Sequence, residues 1–556
     1  MQNGVKTERA GAEKLFNFRP VFFSAVFLSL GIAFYFLYHY HGVSALWLLC
    51  LLPIAATPFF FCRTKAKLFS VATAVAALGI FFFVGFFSFS FQTAWFFDRN
   101  EYLGENYISG RVVEKRPYES QTGLVLDELY IGGKRVEGKL IAYLPAIFYD
   151  KVALSDEIFL KGEVHETVVS GDNFSLMAGE FGDGLRLRLW ADDAMVTDGG
   201  FNLFFFLRTR AEEVIEAGMD ETPAAVTKAV LFGDAVGIDE DLYDNIRRGG
   251  IAHIFAVSGL HVGALFAFCL ILMRKTPLRR LPKTAQFVFL ALLLFTYAGV
   301  CGFSSFVLRA TVMCLVVYAS TLLSIKTDLI ESLGLAAILI LLFTPSALFE
   351  IGFQLSFAAC FGIAFLSKPI GQVLDEILKW KRKLFPKPLT RAEKEALKND
   401  DTLPPKVGER VYRAVSSFLS VSLGAQIFTA PLLLHYFGYV SGWALLLNGI
   451  FVPFISGVFW FLFLLVTVAC LLPTSFAVAI LYLPNLIWSA ALLVFQTVDF
   501  SSFALQGVRL SLGGFITYFA AWLFCSDKWN LKKPLSLALA GICFIAFTIT
   551  MVVLNV

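Results

Sequence analysis

"GGIAHIFAVSGLHVG", residues 249–263, is an apolar stretch of nearly membrane-spanning length that carries His253, Ser258 and His261 among four glycines. Polar side chains are costly in lipid and usually face a bundle interior or a wet cavity. On one continuous helix at 100° per residue, the two histidines would lie within roughly 80° of each other, with Ser258 between them. Gly249, Gly250, Gly259 and Gly263 argue that the helix breaks here, freeing backbone donors and acceptors. The stretch is therefore expected to line a polar path. The competing reading is close helix packing at the glycines, with each histidine satisfied by a neighbouring carbonyl.

The surroundings fit a membrane setting. The chain has 556 residues, of which 57% are hydrophobic and only 16% charged, and Phe alone supplies 61. Soluble domains carry about a quarter charged residues, and apolar runs near the ~20 residues that cross a bilayer recur throughout. The fold expected is a polytopic α-helical membrane protein with a small extracytoplasmic OB-like β-barrel domain. Nine cysteines fall in or beside apolar segments, without CxxC or Cys/His metal spacing, and read as small buried hydrophobes. No metal and no cofactor is expected.

The chain divides by composition. Residues 1–94 hold three apolar runs, read as a retained anchor because no small-residue cleavage site follows the charged N-terminus. Residues 95–200 are polar and alternate like strands in five segments, from "YISGRVVEK" to "GLRLRLWADD", with turns at Gly132-Gly133 and Gly182-Asp183-Gly184. Five short strands in about 100 residues suit a closed barrel, with a β-sandwich as alternative. Residues 201–250 form an amphipathic, then charged connector. Apolar runs return over 251–525, interrupted by a charged insert at 368–413, and a last run occupies 526–556.

Lys and Arg concentrate in "CRTKAK" (62–67), "RKTPLRRLPK" (274–283) and "SDKWNLKKP" (526–534), while alternate loops carry none. The positive-inside rule then places the N-terminus and the insert in the cytoplasm and the β domain outside. That alternation puts the turn between the runs 443–472 and 475–497 on the cytoplasmic side. Pro431, Gly438, Gly442, Pro453 and Gly457 could break helices or make a segment re-entrant in this region.

Further polar residues recur on other apolar runs: Ser304, Ser305 and Arg309 in "GFSSFVLRA", Gln354 and Ser356 in "FEIGFQLSF", then Gln426 and Asn448. Arg309 could snorkel outward, and each of the others could join helices. As a set across several spans they suggest a shared path, lined by His253, Ser258, Gly259, His261, Ser304, Ser305, Arg309, Gln354, Ser356, Gln426 and Asn448. Asp and Glu are nearly absent from the spans, which suits passage of an anion.

At this point the sequence resembles the ComEC family of competence proteins. The resemblance rests on "AVLFGDAVGIDEDLYDNIRRGGIAHIFAVSGLHVG" (229–263), "SSFVLRA", "GFQLSF" after Pro345, and "YFGYVS" running on to Asn448 and Pro453, in that order over roughly 225–500. It implies an inner-membrane channel taking up single-stranded transforming DNA. The expected partners are single-stranded DNA and membrane lipid. A separate nuclease, a periplasmic DNA receptor and a cytoplasmic ATP-driven translocase would act with it, and a homo-oligomer could form the path.

Two departures bear on this. The HxHxDH zinc signature of the family's metallo-β-lactamase-like domain is absent, as is a Walker A motif, so no enzymatic activity is expected. The 98–199 region holds 11 Lys and Arg against 19 Asp and Glu, net −8, whereas nucleic-acid binding normally draws on a basic surface. Local basic residues there (Arg111, Lys115, Arg116, Arg186, Arg188) or base stacking on aromatics could compensate. Two other functions remain open. One is a transporter of a small solute or envelope precursor. The other is a membrane-embedded serine hydrolase pairing Ser258 with His261, although no G-x-S-x-G elbow surrounds the serine.

Overall fold

The computed structural model describes residues 19–44, 65–97, 102–117, 121–167, 169–171, 174–197, 200–235, 237–255, 257, 259–323, 329–384, 407–500, 503–506, 511–526 and 533–555. Ser258, residues 45–61 of the apolar run at 43–61, and residues 385–406 of the 368–413 insert lie outside the described residues.

Two long helices open the chain, α1 (Pro20–His41) and α2 (Lys65–Phe97). Pro20 supplies the first turn of α1, and Gly42, at φ 65°, closes it with its N–H on the Leu37 carbonyl. Reciprocal glycines let the pair meet at backbone distance. A Cβ on Gly31 would stand 1.9 Å from the Phe82 carbonyl oxygen, and one on Gly85 2.1 Å from that of Leu28.

The polar region folds as expected from its alternation. Strands β1 (Gly104–Pro117), β2 (Gln121–Ile131), β3 (Lys139–Pro145), β4 (Glu157–Glu166) and β5 (Leu185–Trp190) form a closed ring in the order β1-β2-β3-β5-β4-β1, and β6 (Ala194–Thr197) adds to β4. Every pairing is antiparallel except β3 with β5. Strand β1 is long enough to pair on both sides, and irregularities at Ser109/Arg111 and Val112/Glu114 bend it around the corner. Alternate residues such as Val112, Leu124, Leu140, Ile158, Val164 and Leu189 fill the interior. This is the OB-like barrel; a two-sheet sandwich would leave β1 and β4 unpaired.

The barrel is tied to the helices beneath it. Helix α3 (Phe174–Gly182) sends Phe174 and Phe181 into an aromatic cluster with Phe89 and Phe349, and Phe96 stacks on Phe181 at 4.2 Å. Arg186, buried, donates twice to the Phe96 carbonyl (2.9 and 2.8 Å) and lies over the Trp95 ring. Gln92 exchanges two hydrogen bonds with Ser346. The end of α2 and residues 345–350 are thereby fixed directly under the barrel.

The connector is three helices: α4 (Leu203–Gly218), α5 (Glu221–Phe232) and α6 (Glu240–Arg248). Then follow α7 (Gly259–Lys275), α8 (Lys283–Val300), α9 (Ser305–Leu322), α10 (Leu329–Phe343), α11 (Ile351–Leu384), α12 (Val407–Phe437), α13 (Ala444–Cys470), α14 (Ala477–Thr497), α15 (Leu512–Cys525) and α16 (Lys533–Asn555). Among the described residues, seven helices are long and apolar enough to cross a membrane. Pro431 and Pro453 sit inside helices, whereas Gly438, at φ 71°, ends α12. A short ribbon, β7 (Tyr439–Ser441) with β8 (Ala504–Gln506), bridges the flanks of the α13–α14 pair.

Candidate functional site

The opening stretch is broken, as its glycines predict. Helix α6 stops at Arg248, Gly250 takes φ 77°, Ala252–Ile254 make a single 3-10 turn, and α7 begins only at Gly259. His253 and His261 therefore do not share a helix, and the one-helix geometry of roughly 80° does not apply. His253 is exposed on the 3-10 turn, while His261 is 1% exposed and packs its ring 5.0 Å from that of Phe459 on α13.

The glycines divide by task. A Cβ on Gly250 would stand 2.7 Å from the Ala444 Cβ, and one on Gly249 2.9 Å from Leu447, so these two admit the start of α13. Gly259 faces only Ala310, at 3.7 Å, and Gly263 has nothing within 4 Å. Packing explains the first pair, and the second pair leaves open space.

A different group of the expected residues converges. Thr344 and Pro345 end α10 in a 3-10 turn, Glu350 caps the start of α11, and its carboxylate meets Arg309 on α9 at 3.0 Å. The side chains are 3% and 14% exposed, so this ion pair is largely out of water. The guanidinium also lies 4.8 Å from the centre of the Phe306 ring. Gly352 makes room for both: a Cβ there would stand 2.3 Å from Phe306 and 2.9 Å from an Arg309 nitrogen. One turn along α11, Gln354 accepts from the Tyr436 hydroxyl of α12 at 2.7 Å and donates to the Leu348 carbonyl at 3.2 Å. Three helices thus meet through four polar side chains under the barrel.

The remaining expected residues lie elsewhere. Gln426 donates to Ser422 within α12 at 3.0 Å. Asn448 is 8% exposed at the start of α13, and its side-chain oxygen has no hydrogen-bond partner among the described residues. Ser304 caps α9 through its backbone, and Ser356 is half-buried; the Ser305 side chain is outside the described residues. His261 and Asn448 border the core around α13.

Sequence reasoning counts Glu350 among the polar residues of "FEIGFQLSF" without a partner, and takes in Tyr436 only as part of "YFGYVS". A lone carboxylate at the edge of an apolar run, 41 residues from an arginine, is the signal that could have found the pair. It also left an aromatic platform on the barrel unseen, where Tyr143 stacks on Trp190 at 5.1 Å with His165 edge-on at 5.4 Å, Trp190 being 47% exposed. The five basic residues considered as a local patch are all engaged. Arg111 pairs with Glu128, Arg116 and Arg188 with Glu180, Lys115 donates to the Tyr149 and Val152 carbonyls, and Arg186 holds Phe96. Lys161 bonds Glu105 at 2.9 Å, which holds that carboxyl below its usual range.

Among curated proteins, the chain is 27% identical over 229 residues to ComE operon protein 3 of Bacillus subtilis, covering 41% of this chain and 24% of that protein. It is 37% identical over 133 residues to the uncharacterized protein MG316 of Mycoplasma genitalium, covering 23% of this chain and 32% of that protein. The matches thus span about a quarter to a third of these relatives' length. No solved structure matches. The family model described as "Competence protein" matches residues 230–531, more than half of the chain, and takes in the Arg309–Glu350 pair, Gln354 and Tyr436 together with the broken stretch at 249–263. The chain belongs to the competence protein family.

Proposed function

We propose that this protein is a multi-pass inner-membrane conduit through which single-stranded transforming DNA is taken up. The N-terminus would be cytoplasmic and the barrel outside. Family membership supports a role in competence DNA uptake. The observation that carries the finer reading is the group of buried Arg309 with half-buried Glu350, Gln354 and Tyr436, placed at the barrel-side ends of α9, α11 and α12. A polyanion crossing lipid needs a wet, cation-bearing lining, and Arg309 supplies the cation. At rest Glu350 compensates that charge, so a phosphate must compete with Glu350 for the guanidinium. His261, Gly259 and Asn448 form a second stretch of the path beside α13.

The barrel contributes by stacking, not by phosphate neutralisation. The five basic residues considered as a patch are engaged, whereas Trp190 and His165 are exposed beside the half-buried Tyr143. Single-stranded DNA, lipid, a nuclease, a DNA receptor, a cytoplasmic ATP-driven translocase and a second copy of the chain are the proposed partners. Solute transport draws no specific support from the geometry. The hydrolase reading draws none either: His261 packs on Phe459, and Ser258 lies outside the described residues.

The test is cytoplasmic arrival of labelled transforming DNA in the intact strain, a deletion strain, and strains carrying Arg309→Ala or His261→Ala. Loss of uptake on deletion, mimicked by either variant at unchanged protein level, is expected. Unchanged uptake after deletion would sink the proposal.

A further inference from the structure

Helices α13 and α14 are each long and apolar enough to cross a membrane, and simple alternation sends their connecting turn, 471–476, to the face opposite the barrel. The contacts along α13 run the other way. Near its start, Gly449 faces the Phe418 ring of α12, 3.8 Å from where a Cβ would stand. Phe418 lies eighteen residues, about 27 Å at 1.5 Å each, from Tyr436 at the end of α12 under the barrel. Ten residues on, Phe459 meets His261 at 5.0 Å and Tyr297 at 6.4 Å, at the barrel-side ends of α7 and α8. At its end, the Cys470 and Leu472 carbonyls accept from Arg210 on α4, at 3.4 and 2.7 Å. The order of neighbours climbs toward the barrel.

Helix α4 cannot have carried its partners across. Between the barrel and α7, no helix among the described residues is both long and apolar enough to span. Its first turn also sits against the end of α8, where a Cβ on Gly299 would stand 2.5 Å from the Phe204 ring. Charge agrees independently. The turn "LLPTSF" (471–476) has no Lys or Arg, whereas the 274–283 loop has five.

We infer that the α13–α14 hairpin does not deliver its turn across the membrane: residues 471–476 lie on the same face as the barrel, and the hairpin's flanks are drawn inward to membrane depth. Those flanks are the β7–β8 ribbon and the adjoining Gly249-Gly250. Asn245 holds them in place, donating to the Phe495 and Val498 carbonyls at 2.6 Å each and accepting from the Phe500 N–H at 3.0 Å. Non-helical backbone at that depth persists only where protein or water covers it. Arg247 and Arg248, each 52% exposed beside it, mark the water side. The hairpin therefore walls a wet vestibule open toward the barrel, which deepens the conduit reading and rests on its membrane setting.

The test places single cysteines in a chain whose nine native cysteines are replaced by Ser, and reads labelling by a membrane-impermeant maleimide in spheroplasts before and after permeabilisation. Glu128→Cys reports the barrel face and Arg279→Cys the basic-loop face. Thr474→Cys, with Ser475→Cys as a second site, is expected to label together with Glu128→Cys. Labelling only together with Arg279→Cys overturns the inference, as does silence of both turn sites in both states, because the turn is exposed. Simultaneous labelling of Glu128→Cys and Arg279→Cys before permeabilisation overturns the membrane setting itself.

Discussion

Arg309 and Glu350 are 41 positions apart in sequence, yet their side chains meet at 3.0 Å in a place almost closed to water. Helix α9 supplies the cation and the cap of α11 the carboxylate, so the pair locks two helices together under the barrel. Removing one partner of a buried pair strands the other charge, at a cost of about 3–5 kcal/mol. Arg309→Ala is therefore expected to lower thermal stability in detergent and to reduce DNA uptake. Adding Glu350→Ala should recover most of the stability through coupling of the two sites. If the double variant also recovers full uptake, Arg309 is only a fastener and its role in the path is wrong.

Tyr436 joins α12 to the same group through one hydrogen bond, at 2.7 Å to Gln354. Tyr436→Phe keeps the ring and removes the donor, a loss of about 1 kcal/mol. A melting curve should show a shift no larger than that. If the group lines the proposed path, uptake should fall more than the melting shift explains, because the Gln354 amide is then held only through its bond to the Leu348 carbonyl. Equal, small effects on both would reduce the bond to simple helix joining.

The glycines of 249–263 should respond in opposite directions. Gly250 combines a positive φ with a Cβ position 2.7 Å from Ala444, so Gly250→Ala adds strain and a clash, together of order 1–3 kcal/mol. Gly263 lies inside α7 with nothing within 4 Å. Gly263→Ala is expected to be neutral or to stabilise by up to ~1 kcal/mol through helix propensity. Paired melting measurements decide this; comparable damage from both would contradict the division between packing and open space.

On the barrel, Trp190→Ala removes the centre of the Tyr143–Trp190–His165 platform. Base stacking contributes ~1–3 kcal/mol per base, so affinity of the full-length protein in detergent for single-stranded oligonucleotide should drop by roughly tenfold or more. The loss should persist at high salt, since stacking is not screened as phosphate contacts are. Unchanged affinity at every salt concentration removes the barrel from DNA binding.

Much of the architecture was legible without coordinates because it depends on local periodicity. Five alternating segments became five strands because a period of two puts every second residue inside, whatever their partners are. The break at Gly249-Gly250 was readable for a similar reason, since a positive φ is a local demand. The long apolar helices were legible from run length against bilayer thickness.

What the sequence could not express is which residues meet. Ring closure by β1 on β4, the Arg309–Glu350 pair, and Tyr436 on Gln354, 82 residues apart, are properties of packing. Charge alternation along the loops assumes that each apolar run crosses in turn, and it has no means of registering a hairpin whose neighbours climb back toward the barrel. The sequence determined the strands, the apolar helices and the break between α6 and α7, because those are set by short-range sterics and by hydrophobic patterning. The tertiary structure alone decided the polar group under the barrel and the direction of α13, because both arise from contacts between segments that no local rule connects.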